Sequence, residues 1–205
     1  ARSGRAALVH RLELLGYEVI IPDHVESGRA SLSKGLVRRA KKLAEANVRK
    51  LSGVISDAEP LLGIEPSAIL GFRDEDPALV GSDLREAARS LAPNCLLLEE
   101  FITREAEAGR ITPDLFTEKP RTVHLHGHCH QKAVVSIDPT VKMLSLAKNY
   151  QIKIIPSGCC GMAGLFGHQK RHQRVSRRLY DASWRDHVES GEQVMATGFS
   201  CRCQS

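Results

Sequence analysis

The chain has 205 residues, 42% of them apolar, which is enough to build one or two globular cores of ordinary size. No apolar run approaches the roughly 18 residues of a membrane span, and the opening "ARSGRAALVHRLELLGYEV" reads as an amphipathic helix and not a secretion signal, so a cytoplasmic protein is expected, at most peripheral to the inner face of the membrane. The net charge of +5 lies partly in Lys34 to Lys42 and Lys170 to Arg178, which read as solvated helix faces; with few aromatics to stack on bases, they argue against nucleic acid as a partner.

In chain order, Ala1 already stands inside the first helical pattern, as expected of a piece of something longer. Apolar alternation predicts strands at Tyr17–Ile21, Pro60–Glu65, Thr122–Gly127, Gln151–Ile155 and Gln193–Thr197. Helical periodicity fills the gaps with Ser33–Leu51, a segment around Asp83–Leu91, then Cys95–Gly109, Pro139–Asn149 and His168–Trp184. Strands alternating with helices imply parallel pairing and an α/β fold.

Sliding the chain against itself by 133 positions brings Tyr17 onto Tyr150, Ile21 onto Ile154, Gly28 onto Gly161, Ala30 onto Ala163, Leu32 onto Leu165 and Ser67 onto Ser200. Two copies of one unit are the simplest explanation. The expected division is 1–93 for a first, degenerate copy truncated at its start, 94–121 for a connecting helix and linker, and 122–205 for the second copy. At this offset Cys159, Cys160 and Cys201 fall on Glu26, Ser27 and Ala68, so the second copy carries thiols where the first has none.

Six cysteines stand at 95, 129, 159, 160, 201 and 203. Their clustering in the second half does not suit a disulfide framework, and the adjacent pair Cys159–Cys160 would make a strained ring. Metal or redox chemistry is the better reading. Three of the clusters follow predicted strands, and in a parallel sheet the carboxyl ends of strands share one rim. Glycines 158, 161, 164 and 167 would let the turn around the pair adopt positive φ, and a helix starting behind it would favour thiolates. Two neighbouring thiolates serve a polynuclear iron-sulfur site better than a single zinc ion, although zinc and a metal-free dithiol both stay open on spacing alone.

"HGHCHQKA" (His126 to Ala133), "SGCCGMAGLFGH" (Ser157 to His168) and "ATGFSCRCQ" (Ala196 to Gln204) together resemble the CCG, or cysteine-rich, domain family. That domain occurs in heterodisulfide reductase, in the iron-sulfur subunits of glycolate oxidase and anaerobic glycerol-3-phosphate dehydrogenase, and at the carboxyl end of FAD-linked oxidases. "GIEPSAILGFRDE" (Gly63 to Glu75) and "LLLEEFI" (Leu96 to Ile102) are also similar to the last group. The resemblance implies two related parallel α/β units with cysteines at the carboxyl ends of strands. It also implies an electron-transfer role in a flavin-dependent 2-hydroxy-acid dehydrogenase of the lactate, glycolate or 2-hydroxyglutarate type. The implied ligands of one 4Fe-4S cluster are Cys129, Cys159, Cys160 and Cys201, with Cys203 a weaker fifth because the spacing Cys201-Arg202-Cys203 departs from the usual C-x-x-C. The implied partners are a flavin dehydrogenase domain or subunit with FAD, a ferredoxin-like iron-sulfur segment, and a peripheral-membrane or quinone-linked acceptor. A thiol-disulfide reductase of the heterodisulfide type and a zinc-binding interaction module are the alternative functions.

Among the remaining residues, His124, His126, His128 and His130 recur every second position and share a face if the strand runs that far. His128 and His130 flank Cys129 and are expected to hydrogen-bond around the sulfur site; Lys132 is a candidate to offset its negative charge. Cys95 reads as a small buried residue, His168 and His172 as a surface pair on one helix face, and Glu26 with Arg29 as an ion pair.

Overall fold

A computed structural model describes residues 2–191 and 193–204. Its first part runs α1 (Arg2–Leu14), α2 (Arg29–Ser33), α3 (Val37–Leu51), β1 (Leu61–Gly63), α4 (Pro66–Ile69), α5 (Asp76–Leu79), α6 (Arg85–Leu91), β2 (Cys95–Leu97) and α7 (Leu98–Glu107). The second runs β3 (Arg121–His126), α8 (Cys129–Val134), α9 (Asp138–Ser145), β4 (Tyr150–Ile154), α10 (Gln173–Ser183), α11 (Arg185–Glu189), β5 (Val194–Ala196) and α12 (Phe199–Arg202). The strands form two small parallel sheets, so the α/β class and the parallel pairing hold. Among the described residues no helix is long and apolar enough to cross a membrane.

The larger sheet has the order β4-β3-β5, with Val123 beside Ile152 and His126 beside Ala196. β3 takes the centre because its last four residues are apolar enough, or well enough hydrogen-bonded, to be buried on both faces. Val123 and Leu125 line one side; His124 and His126 line the other. The smaller sheet pairs β1 with β2, Leu61 beside Cys95. Under the shift of 133 positions β1 and β5 coincide at both ends, as do α4 and α12. Gly28 and Gly161 are both left-handed, with φ of 75° and 93°.

Four expectations change. Tyr17–Ile21 is extended but belongs to no sheet: among the described residues Glu18–Ile21 find no strand to bond, and Ile20 and Ile21 stand 67% and 55% exposed. Tyr17 is anchored by its hydroxyl, which donates to Glu105 at 2.7 Å, and by its ring, edge-on to Phe101, while Val19 packs against the same core. The expected helix at Cys95 begins as strand β2. The run Cys95–Leu98 is apolar without a period that distinguishes strand from helix, and α7 starts only where Glu100 accepts the Leu97 N–H at 2.9 Å. The helix behind the cysteine pair is delayed to Gln173, after a 3-10 turn at Lys170–His172. Positive φ at Gly161, Ala163 and Gly164 forbids a right-handed helix there. The histidine alternation breaks because β3 ends at His126, leaving His128 as the N-cap of α8 and His130 on its first turn.

Candidate metal centre

Cys129 opens α8 after β3, Cys159 and Cys160 lie in the turn after β4, and Cys201 lies in α12 after β5. Because β3, β4 and β5 are parallel, all three loops leave the same rim of the sheet. The thiols are neighbours there in an open chain: Cys129 acts on Cys159, Cys159 on Cys160, and Cys160 on Cys201. Cys160 and Cys201 are buried, while Cys129 and Cys159 are half-buried. Among the described residues no three of these sulfurs come within 4.8 Å of one another.

The four sulfurs shift one another in opposite directions. The neighbouring Cys129 and then Cys160 thiols pull the Cys159 pKa down, and the Cys160 thiol does the same for Cys201, with the His126 ring adding to it. The same neighbours, reinforced by burial, push Cys129 and Cys160 up. Ionising all four thiols together demands a positive centre among them.

The frame around the sulfurs is tight. A Cβ at Gly161 would overlap the carbonyl oxygen of Ser176, and one at Gly198 would overlap the His128 ring and lie 3.3 Å from Cys201 Sγ. Gly161 also donates its N–H to Cys159 Sγ at 3.4 Å. His126 is fully buried, hydrogen-bonds Ser157 Oγ through Nδ1 at 2.6 Å and stacks on Trp184 at 4.2 Å, a contact worth about 0.5–1.5 kcal/mol beyond burial. Lys132 Nζ donates to the Ser157 carbonyl, so two side chains hold the residue two positions ahead of Cys159.

No family model matches the chain, and no solved structure matches it. Curated sequences do. The chain is similar to D-2-hydroxyglutarate dehydrogenases. That of Haemophilus influenzae is 28% identical over 199 residues, covering 93% of this chain and 19% of the relative. That of Escherichia coli K12 is 26% identical over 202 residues, covering 97% and 19%. One subunit of the anaerobic glycerol-3-phosphate dehydrogenase of the same organism is 23% identical over 167 residues, covering 81% and 41%. The chain thus spans about a fifth of the length of the hydroxyglutarate dehydrogenases it matches.

The other expected site residues are spread around the rim. His128 is buried, which favours its neutral ring; its Nδ1 accepts the His130 N–H at 3.2 Å and its Nε2 lies 3.4 Å from Ser200 Oγ. The His130 ring faces the carboxylates of Asp74 and Glu75. Cys203 is exposed at the C-cap of α12. Cys95 is fully buried, donates to the Leu91 carbonyl at 3.5 Å and has its pKa pushed up to about 12 by burial. In the first half Glu26 pairs with Arg39 at 2.8 Å and Arg29 with Glu75, so the expected Glu26–Arg29 pair is not formed; both partners are supplied by elements remote in sequence. His168 precedes the helix and His172 stacks on Phe166 at 4.0 Å.

Sequence reasoning missed His126, Ser157 and Glu65 as builders of the site. Glu65 accepts the Phe199 N–H at 2.6 Å and approaches His128 at 3.7 Å, joining the first half to the Cys201 loop. Nothing local marks that contact, because its two ends are 134 residues apart.

Proposed function

We propose that this chain is the electron-transfer part of a flavin-dependent 2-hydroxy-acid dehydrogenase and holds one iron-sulfur cluster, of the 4Fe-4S type, on Cys129, Cys159, Cys160 and Cys201. The observation that carries the reading is the open chain of four thiols drawn from three loops at one sheet rim. An all-sulfur donor set suits iron-sulfur, and an open spacing fits a polynuclear core better than the compact tetrahedron of zinc. The relatives' names, D-2-hydroxyglutarate dehydrogenase and anaerobic glycerol-3-phosphate dehydrogenase, point to hydroxy-acid or related alcohol oxidation by the whole protein.

Bound there, such a cluster supplies one-electron storage between a two-electron flavin donor and an acceptor. The chain's own residues hold the ligand loops and keep water from the buried sulfurs. His126 and Lys132 fix Ser157, Trp184 covers His126, and the Gly161 N–H stabilises negative charge on Cys159. FAD belongs to a separate flavin domain or subunit, electrons pass through a ferredoxin-like segment, and the acceptor is a quinone or a peripheral membrane carrier. The units are 1–93, without cluster ligands, a connector at 94–121, and the ligand-bearing 122–205. A single cluster follows from Glu26, Ser27 and Ala68 at the positions matching Cys159, Cys160 and Cys201, since a carboxylate and a hydroxyl do not replace thiolates for iron-sulfur.

The test is anaerobic reconstitution followed by iron and sulfide assay and electron paramagnetic resonance. The reading expects about four irons and four sulfides per chain and a visible absorption bleached by dithionite. A colourless protein that retains zinc, or an iron content near eight, overturns it.

A further inference from the structure

We propose a second metal site, for a divalent first-row cation, formed by His130 Nε2, Asp74 Oδ2 and Glu75 Oε2. It uses no sulfur and does not rest on the iron-sulfur reading. Asp74 and Glu75 sit in the turn before α5, and His130 sits on the first turn of α8, so the two halves of the chain contribute to one constellation. The imidazole nitrogen lies 3.5 Å from Asp74 and 3.8 Å from Glu75, and all three donor atoms fall within 4.8 Å of one another. Ligands bonded at about 2.1 Å sit roughly 3.0–3.4 Å apart, so small side-chain rotations close the set on an ion.

Two features separate this group from an ordinary surface ion pair. The His130 side chain is 9% exposed, its Nδ1 is buried without a hydrogen-bond partner, and its Nε2 is aimed between two carboxylates at more than ordinary hydrogen-bonding distance from either. Glu75 Oε2 is likewise buried without a hydrogen bond, although Arg29 grips the other oxygen of the same carboxylate and orients it. His130 Nε2, Asp74 Oδ2 and the buried Glu75 Oε2 therefore converge, and a cation between them satisfies all three. Asp74 is half-exposed, leaving coordination positions open to water.

One nitrogen and two oxygens suit manganese, ferrous iron or zinc. Manganese is the useful probe because it prefers oxygen donors and does not compete for the thiols.

The experiment is a manganese titration of the chain followed by electron paramagnetic resonance of the free aquo ion. One saturable site per chain is expected, weakened by roughly 10-fold or more in Asp74→Asn and in His130→Gln and unchanged in Cys159→Ser. Asp74 is exposed enough that its variant keeps the fold, which circular dichroism checks. Absence of saturable binding, an affinity unchanged in Asp74→Asn, or binding lost in Cys159→Ser each overturns the site. Iron and sulfide content, measured on the same samples, reports separately on the cluster.

Discussion

The loop after β5 and the loop after β1 make an instructive pair. Both strands run for three residues, both lead into a four-residue helix, and the two segments are 133 positions apart. One carries Cys201 buried against Cys160; the other carries Ala68, half-buried. The same contrast holds one loop earlier, where left-handed Gly161 follows two thiols and left-handed Gly28 follows Glu26 and Ser27. Backbone geometry and donor chemistry are separable: a turn set by a glycine and a short parallel strand persists with soft donors, hard donors or none.

The largest effect that tests this separation comes from matched substitutions in the two loops. Cys201→Ser should cut bound iron after anaerobic reconstitution from about four atoms to fewer than one, whereas Ala68→Ser should leave it unchanged; equal loss in both breaks the contrast. The paired glycines sharpen it next. Alanine at Gly161 meets both the positive φ and the Ser176 carbonyl, for an expected loss of about 3 kcal/mol or more in urea unfolding. Alanine at Gly28 has ordinary contact, 3.5 Å from the Ala40 carbonyl oxygen, and should cost about 1 kcal/mol.

The halves should also differ in acid. Glu105 accepts hydrogen bonds from Arg110 at 2.5 and 2.8 Å and from Tyr17, and the first of these partners holds its carboxyl down to about 2 from an ordinary 4.5. A carboxyl depressed in the folded state contributes stability that is complete above about pH 4.5 and is lost as pH falls toward 2. The unfolding free energy from urea titrations followed down that window should fall in the wild type by about 1–3 kcal/mol more than in Glu105→Gln. Smallest of all is Cys203→Ser. An exposed thiol outside the chain of four should be dispensable for iron content and for the resonance signal, and a loss of either would make Cys203 a ligand.

Legibility followed the range of the interactions. β1, β3, β4 and β5 were readable within about two residues because each has an apolar period bounded by turn residues. The gathering of Cys129, Cys159, Cys160 and Cys201 was readable because parallel pairing brings strand ends to one rim. Tyr17–Ile21 failed as a strand because alternation describes a residue's two faces and says nothing of a neighbour to bond. Cys95 failed as a helix start because four apolar residues in a row fit either period until a cap decides. The Glu26–Arg29 pair failed because each charge found a partner at long range, Arg39 and Glu75.

The places of β1, β3, β4 and β5, the parallel class and the thiols after strand ends were determined by the sequence itself, since each depends on residues within one turn or one strand. Tertiary structure alone decided the pairing of β1 with β2, the burial of His126 under Trp184, the reach of Glu65 to Phe199, and the meeting of His130 with Asp74 and Glu75. Those contacts join positions tens of residues apart, and their strength comes from burial and mutual orientation, which no local pattern of side chains encodes.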